Sequence, residues 1–195
     1  NSKIIKPTGF SSGFSKIVPI SDTSCFILNR SSLLYYSISL KDPVIEPSEN
    51  GNINTIFKIN EHYFIINSKR EIFLLQEKEK RITPVSLTGD DINLLNAAVN
   101  NSTLFWRTGM KNPVVIDNGK AWLLTYDGIS ISSKLISGGI PRDSYIKSVQ
   151  YSEKNNLLFI GTESKGLIVI NQNRVQSKKR NVLNTKNRNS YYSQV

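Results

Sequence analysis

The sequence predicts an all-β chain folded as part of a β-propeller. Three observations carry that expectation. Residues 145–175, YIKSVQYSEKNNLLFIGTESKGLIVINQNRV, read as one complete antiparallel sheet of four short strands. Similar strand–turn units recur along the chain, and Asn29 and Asn67 close corresponding apolar runs 38 residues apart, a spacing found in propeller blades. No segment carries a sustained i, i+3, i+4 apolar stripe, which sets helical folds aside. A four-strand unit this small cannot bury both faces alone, so such units stack radially. A β-sandwich also has short, evenly spaced strands, but it does not repeat whole four-strand units.

Within residues 145–175, Ile146 to Tyr151 alternates apolar and polar residues, the period of a half-buried strand. Ser152 to Asn156 is polar turn material. Leu157 to Thr162 is an apolar run expected to be buried on both faces. Glu163 to Gly166 turns, with Gly166 free to take positive φ. Leu167 to Ile170 forms the third strand, and a more polar outer strand follows Arg174.

The rest of the chain is measured against this unit. Phe14 to Ile20, Ser24 to Asn29 and Leu33 to Ser39 predict three strands, followed by a loop with Pro43, Pro47 and Gly51. Ile53 to Ile59, His62 to Asn67, Glu71 to Gln76 and Lys80 to Leu87 predict four more. The third unit is irregular. Leu94 to Val99 reads as its inner strand and Thr103 to Thr108 as its buried one, yet AWLLTYDGISI, from Ala121, matches LFIGTESKGLIVI better in detail. Both registers cannot hold in one regular blade, so residues 92–137 are expected to form a single enlarged blade, with an inserted hairpin as the other possibility. The expected blades cover residues 14–52, 53–91, 92–137 and 145–180, and a further blade starts at 190–195. Four blades seldom close a ring, so the chain is expected to be about four blades of a larger ring, with seven the expected total.

Of the 195 residues, 38% are hydrophobic, enough for a core. No apolar run reaches about 18 residues, so no membrane span is expected. No signal peptide is read at the start, and a chain opening NSKIIKPTG without Met looks cut from something longer. The single Cys25 excludes an internal disulfide and reads as a small buried hydrophobe. The net charge is +10, but Lys and Asn are spread along the whole chain. The one basic cluster, Lys178-Lys179-Arg180 with Lys186 and Arg188, reads as a solvated edge. Nucleic acid is therefore not the expected partner.

Catalytic patterns are weak. One histidine, His62, heads an apolar strand, where an ordinary hydrogen bond explains it. No metal-ligand spacing or phosphate-cradling loop is found, so no cofactor is expected. Asp90-Asp91 could supply a glycosidase pair, but neighbouring residues point apart. Phe26, Phe64, Trp122 and Phe159 fall at matching places in the apolar runs and read as blade-to-blade packing. Turns between second and third strands share a face with the loops from one blade to the next. That face is expected to gather Lys69, Arg70, Tyr126, Asp127, Arg142, Asp143, Glu163 and Lys165, a mixed set able to bind a polar ligand by hydrogen bonds and stacking.

NLLFIGTESKGLIVI and KAWLLTYDGISI resemble the two-component-regulator propeller repeat. Phe159, Gly161, Thr162 and Gly166 carry the first match; Trp122, Thr125, Gly128 and Ile129 carry the second. In the first two units Asn29 and Asn67 stand in place of the Thr, and the turn glycine is missing. The resemblance implies a non-catalytic, ligand-sensing propeller in the extracytoplasmic, periplasmic part of a membrane-anchored bacterial regulator. It further implies a histidine kinase or DNA-binding output outside this chain, oligosaccharide or other polar ligands, and self-association. The competing expectations are a carbohydrate-active propeller enzyme, a lyase or glycosidase, and a basic scaffold for an acidic polymer.

Overall fold

The computed structural model describes residues 15–29, 32–38, 53–76, 81–95, 103–107, 109–142 and 145–171. These form strands, turns and short connections only. Sheet one holds β1 (Ser15–Ser21), β2 (Ser24–Asn29) and β3 (Ser32–Ser37). Sheet two holds β4 (Ile53–Ile59), β5 (His62–Asn67), β6 (Ile72–Gln76) and β7 (Arg81–Val85). Sheet three contains β8 (Leu87–Gly89), β9 (Thr103–Phe105), β10 (Val114–Asp117), β11 (Lys120–Tyr126) and β12 (Ile131–Ser137). Sheet four contains β13 (Ile146–Ser152), β14 (Leu157–Thr162) and β15 (Gly166–Asn171). Sheets one, two and four are antiparallel meanders in chain order.

Side-chain alternation lets each sheet pack on two neighbours. In β5, Phe64 and Ile66 face sheet three while Tyr63 and Ile65 face sheet one. In β10, Val115 faces back to sheet two while Val114 and Ile116 face sheet four. Three apolar interfaces result, joining sheets one and two, two and three, and three and four. Each fully buried Phe or Leu in them contributes on the order of 1.5–3 kcal/mol. Sheets stacked face to face in chain order make a β-propeller-like arrangement. No helix among the described residues is long and apolar enough to cross a membrane.

Sheet three departs from the sequence expectation. It is a single sheet, with order β8-β12-β11-β10-β9. Its antiparallel meander runs β9, β10, β11, β12, so AWLLTY forms the third strand of the meander, whereas LLFIGT is the second strand of sheet four. The apparent match between the two stretches is therefore out of phase by one strand. Both are hairpins between apolar strands, and a short apolar–turn–apolar pattern does not tell one hairpin from the next. The true counterpart of LLFIGT is VVID, with Asp117 in the place of Asn67 and Thr162. Those residues are spaced 50 and 45 apart, against 38 for Asn29 to Asn67. Leu94 and Leu95, read as part of an inner strand, lie instead in a turn with buried side chains. Thr103 to Phe105 is the inner edge strand and not the buried one.

The enlargement of sheet three has a visible cause. After β7 the chain does not go straight to an inner strand; β8 first pairs parallel to β12 on the outer edge. Gly89, at φ 95°, then turns the chain away, and the amide of Asp90 donates to the Ser133 carbonyl. Asp90 Oδ2 accepts the Leu135 amide at 2.7 Å, and Asp91 Oδ1 accepts the Asn93 amide at 2.9 Å. The acidic pair thus caps backbone donors of its own turn and of β12.

The stack ends on two incompletely covered faces. Phe26, Phe64 and Val114 stand three residues before the last residue of the second meander strand, and each packs on the following sheet. Phe159 holds the same place in β14, but it is only half-buried, and Val169 and Leu167 beside it are 38% and 56% exposed. Phe26, Phe64 and Trp122 are core residues as expected; Phe159 is not among them. Leu157 to Thr162 is accordingly buried on one face, with Leu158 and Ile160 inward. On sheet one the backward face carries Ile17, Cys25 and Ile27. Partial burial there raises the Cys25 thiol pKa, in keeping with an inert small hydrophobe.

Candidate functional site

The sheets present two rims, fixed by contacts between neighbours. On the first rim lie the turns joining the first and second meander strands. There the Asn60 amide donates to the Lys111 carbonyl at 2.8 Å, and Asn112 Nδ2 donates to Glu153 Oε1 at 2.7 Å. On the second rim lie the turns joining second and third strands, together with the loop from β12 to β13. There the Ile140 amide donates to the Gly119 carbonyl, and the Glu163 amide to the Tyr145 carbonyl, each at 2.9 Å.

The second rim holds most of the residues the sequence singled out. Two of its turns are shaped by the polar residue that ends the second strand. Asn67 is buried; its Nδ2 donates to Glu71 Oε2 at 2.7 Å and its Oδ1 accepts the Glu71 amide at 2.9 Å. This closes the turn that carries Lys69 and Arg70, the latter at φ 64°. Thr162 does the same in sheet four: its Oγ1 donates to the Gly166 carbonyl at 2.8 Å and accepts the Lys165 amide at 3.0 Å. Asn standing in for Thr is therefore a conservation of job, since either side chain offers both donor and acceptor. Asn67→Ala should cost about 1–3 kcal/mol, because the bonds from this buried side chain to the Glu71 amide and to its charged carboxylate are lost. Urea titration checks this, and a loss under about 0.5 kcal/mol would contradict the capping role.

Arg142 lies against Gly119 on this rim, its Cγ 3.4 Å from where a Cβ on that glycine would sit. Glu163 pairs with Lys147 at 3.1 Å, both side chains exposed. Such a pair contributes about 1 kcal/mol or less. Asp143 lies outside the described residues, as do the basic cluster after Lys178, the outer strand after Arg174 and the start of a further blade at 190–195.

Tyr126 and Asp127 are not on that rim. They end β11, whose first residues lie beside Arg142, so they fall on the first rim with His62. The misplacement follows from the one-strand phase error: as the end of a third strand, Tyr126 meets the start of β5. Its ring packs edge-on against His62 and Phe64, with centroids at 5.2 and 5.0 Å. Its hydroxyl donates to the Gly128 carbonyl at 2.8 Å. Desolvation, with the nearby Asp127 charge, raises its pKa. Asp127 Oδ1 accepts the amides of Ile129 and Ser130, both at 2.8 Å. Those bonds hold its carboxyl below the usual aspartate range. Both side chains build their own turn.

Among the described residues no group of three or more His, Cys, Asp or Glu is arranged to hold a metal. The sequence reading passed over one group: Lys16, Trp106 and Arg107 at the inner edge of the sheets. Trp106 packs against all three apolar interfaces, a position that no repeat pattern reveals because it belongs to the irregular connection after β9.

No protein-family model matches the chain, and no curated protein does. Solved structures do. Two are of an extracellular domain from B. thetaiotaomicron, one described as a hybrid two component system and one as a one component system. They share 17% and 15% identity with this chain, with a TM-score of 0.53 in each case, and cover 86% and 87% of it. A luciferin-regenerating enzyme matches at 15% identity over 84% of the chain with TM-score 0.49, too distant to argue activity. The chain spans 60% of that enzyme's length and 23% and 24% of the two extracellular domains. At these identities the likeness bears on fold alone.

Proposed function

We propose that the chain is the ligand-sensing or interaction part of a bacterial signal-transduction regulator, built as about four blades of a larger, seven-bladed propeller outside the cytoplasm. The observation that carries the reading is the fold likeness to the extracellular domain of a two component system over most of the chain. The larger ring is supported by Phe159, which faces the place where a next sheet would stand. A non-catalytic role is supported by the carboxylates: among the described residues Asp90, Asp91 and Asp127 accept backbone bonds, while Glu61, Glu71, Glu153 and Glu163 pair with side chains. The ligand is an oligosaccharide or another polar small molecule taken on the second rim by Lys69, Arg70, Arg142, Glu163 and Lys165, with Asp143 in the same loop. Signalling requires that the ligand bind two arrangements of the regulator unequally, and self-association of the full-length protein supplies the second.

A thermal-shift screen of an oligosaccharide panel, followed by calorimetry on the best binder, tests this reading. Arg142→Ala and Lys69→Ala should each weaken binding about tenfold, or 1.4 kcal/mol. Tyr126→Phe, on the opposite rim, should leave affinity unchanged. An empty screen, or affinity insensitive to both rim substitutions, overturns it.

A further inference from the structure

We propose that the inner edge of the sheets, around Lys16, Trp106 and Arg107, is a binding site for an oxyanion, separate from the rim site. Lys16 comes from β1 in sheet one, and its Nζ stands over the Trp106 ring at 5.7 Å from the centroid. Arg107, the next residue, reaches sheet four, where its Nη2 donates to Gln150 Oε1 at 3.2 Å. Two consecutive residues after β9 therefore tie together the inner strands of sheets one, three and four. Among the described residues neither cation meets a counter-charge: the ion pairs there are Lys58–Glu61 and Lys147–Glu163, and Gln150 is neutral. The Trp106 Nε1 is buried without an acceptor. Two exposed cations and a buried indole N–H thus stand along this edge with no acid among the described residues paired to them, which leaves both cations available to an anion.

The ammonium of Lys16 is also partly desolvated, which lowers its pKa, although the residue as a whole remains exposed. A desolvated cation held over an aromatic face keeps its attraction for an oxyanion better than a freely hydrated surface lysine. The chain's net charge of +10 adds long-range attraction. The carboxylate of an acidic sugar or organic acid and an inorganic oxyanion such as sulfate share the required chemistry.

Calorimetric titration of the full chain with sodium glucuronate and with sodium sulfate, at fixed ionic strength, tests the site; glucose is the neutral control. Saturable binding of either anion, absent with glucose, is expected, and the one bound identifies the carboxylate or the inorganic source. Lys16→Met should weaken it at least tenfold, and Lys16→Arg should retain it, separating loss of charge from loss of fold. Lys120→Met, on the second rim, should bind like the parent. No binding of either anion, equal binding of glucose, or unchanged affinity in Lys16→Met overturns the proposal.

Discussion

Gly89→Ala is expected to destabilise the chain by about 3 kcal/mol or more, through strain at φ > 0 and overpacking together. Gly89 sits at φ 95°, where an L side chain is strained. A Cβ there would collide with the Ser133 carbonyl oxygen and approach Ser132 Oγ and the Ser133 nitrogen at 2.8 Å each. The neighbours cannot yield, because two of the three atoms are backbone of β12, whose residues Ile131 to Ser133 pair with β8. Ser133 is buried; its Oγ donates within reach of the Thr88 and Asp91 carbonyls at 3.1 and 3.0 Å and accepts the Asp91 amide at 3.0 Å. Displacing Gly89 breaks this clamp. It also frees the turn that seats Leu94, fully buried between sheets two and three. In urea the midpoint should fall with little change in slope. Gly128→Ala, at φ 101° but with open space around it, isolates the strain component and should cost less. Equal losses for the two, or a loss under about 1 kcal/mol for Gly89→Ala, would show that the β8–β12 clamp does not hold the edge.

The two substitutions also mark where sequence reading succeeds and fails. Strand positions were legible because burial on two faces demands short apolar runs, and polar turns must separate them. β5 and β14 fall where the apolar runs place them, from His62 to Asn67 and from Leu157 to Thr162. Strand phase was not legible in sheet three. A hairpin joining second and third strands and one joining third and fourth strands obey the same local rules, so AWLLTYDGISI passes for either. What resolves them is tertiary: Tyr126 meets His62, and Gly119 meets Ile140. The rim site inherited that ambiguity. Lys69, Arg70, Arg142, Glu163 and Lys165 fall on the expected rim, and Tyr126 and Asp127 fall on the other. β8 was hidden for another reason: a three-residue strand following β7 reads as the tail of that strand. Its sequence mark is Gly89 followed by two aspartates, which a solvated loop would also carry. Trp106 lies outside any repeat, so periodicity gives it no role.

Phe64→Ala is expected to cost about 3–5 kcal/mol, the range for emptying a buried aromatic site. Phe64 is fully buried between sheets two and three. Its ring stacks on Phe57 at 5.5 Å between centroids and takes the Tyr126 edge at 5.0 Å, and such aromatic pairs add about 0.5–1.5 kcal/mol beyond area. Tyr126 hydroxyl bonding to its own turn restrains it from collapsing into the space left behind, so the cavity persists. Phe159→Ala removes the same side chain from the same place in β14, yet its ring is half-buried, and the loss should be nearer 1 kcal/mol in this chain. The comparison bears directly on the proposed ring. If a further sheet stands against sheet four, as the proposed ring requires, Phe159 becomes the counterpart of Phe64 there. Its substitution should then cost several-fold more in the longer protein than in residues 1–195, while the cost of Phe64→Ala stays constant. Denaturant unfolding of both substitutions in both chain lengths measures this difference. A Phe159→Ala cost that does not change with chain length would mean that no sheet covers that face, and the larger ring would have to be given up.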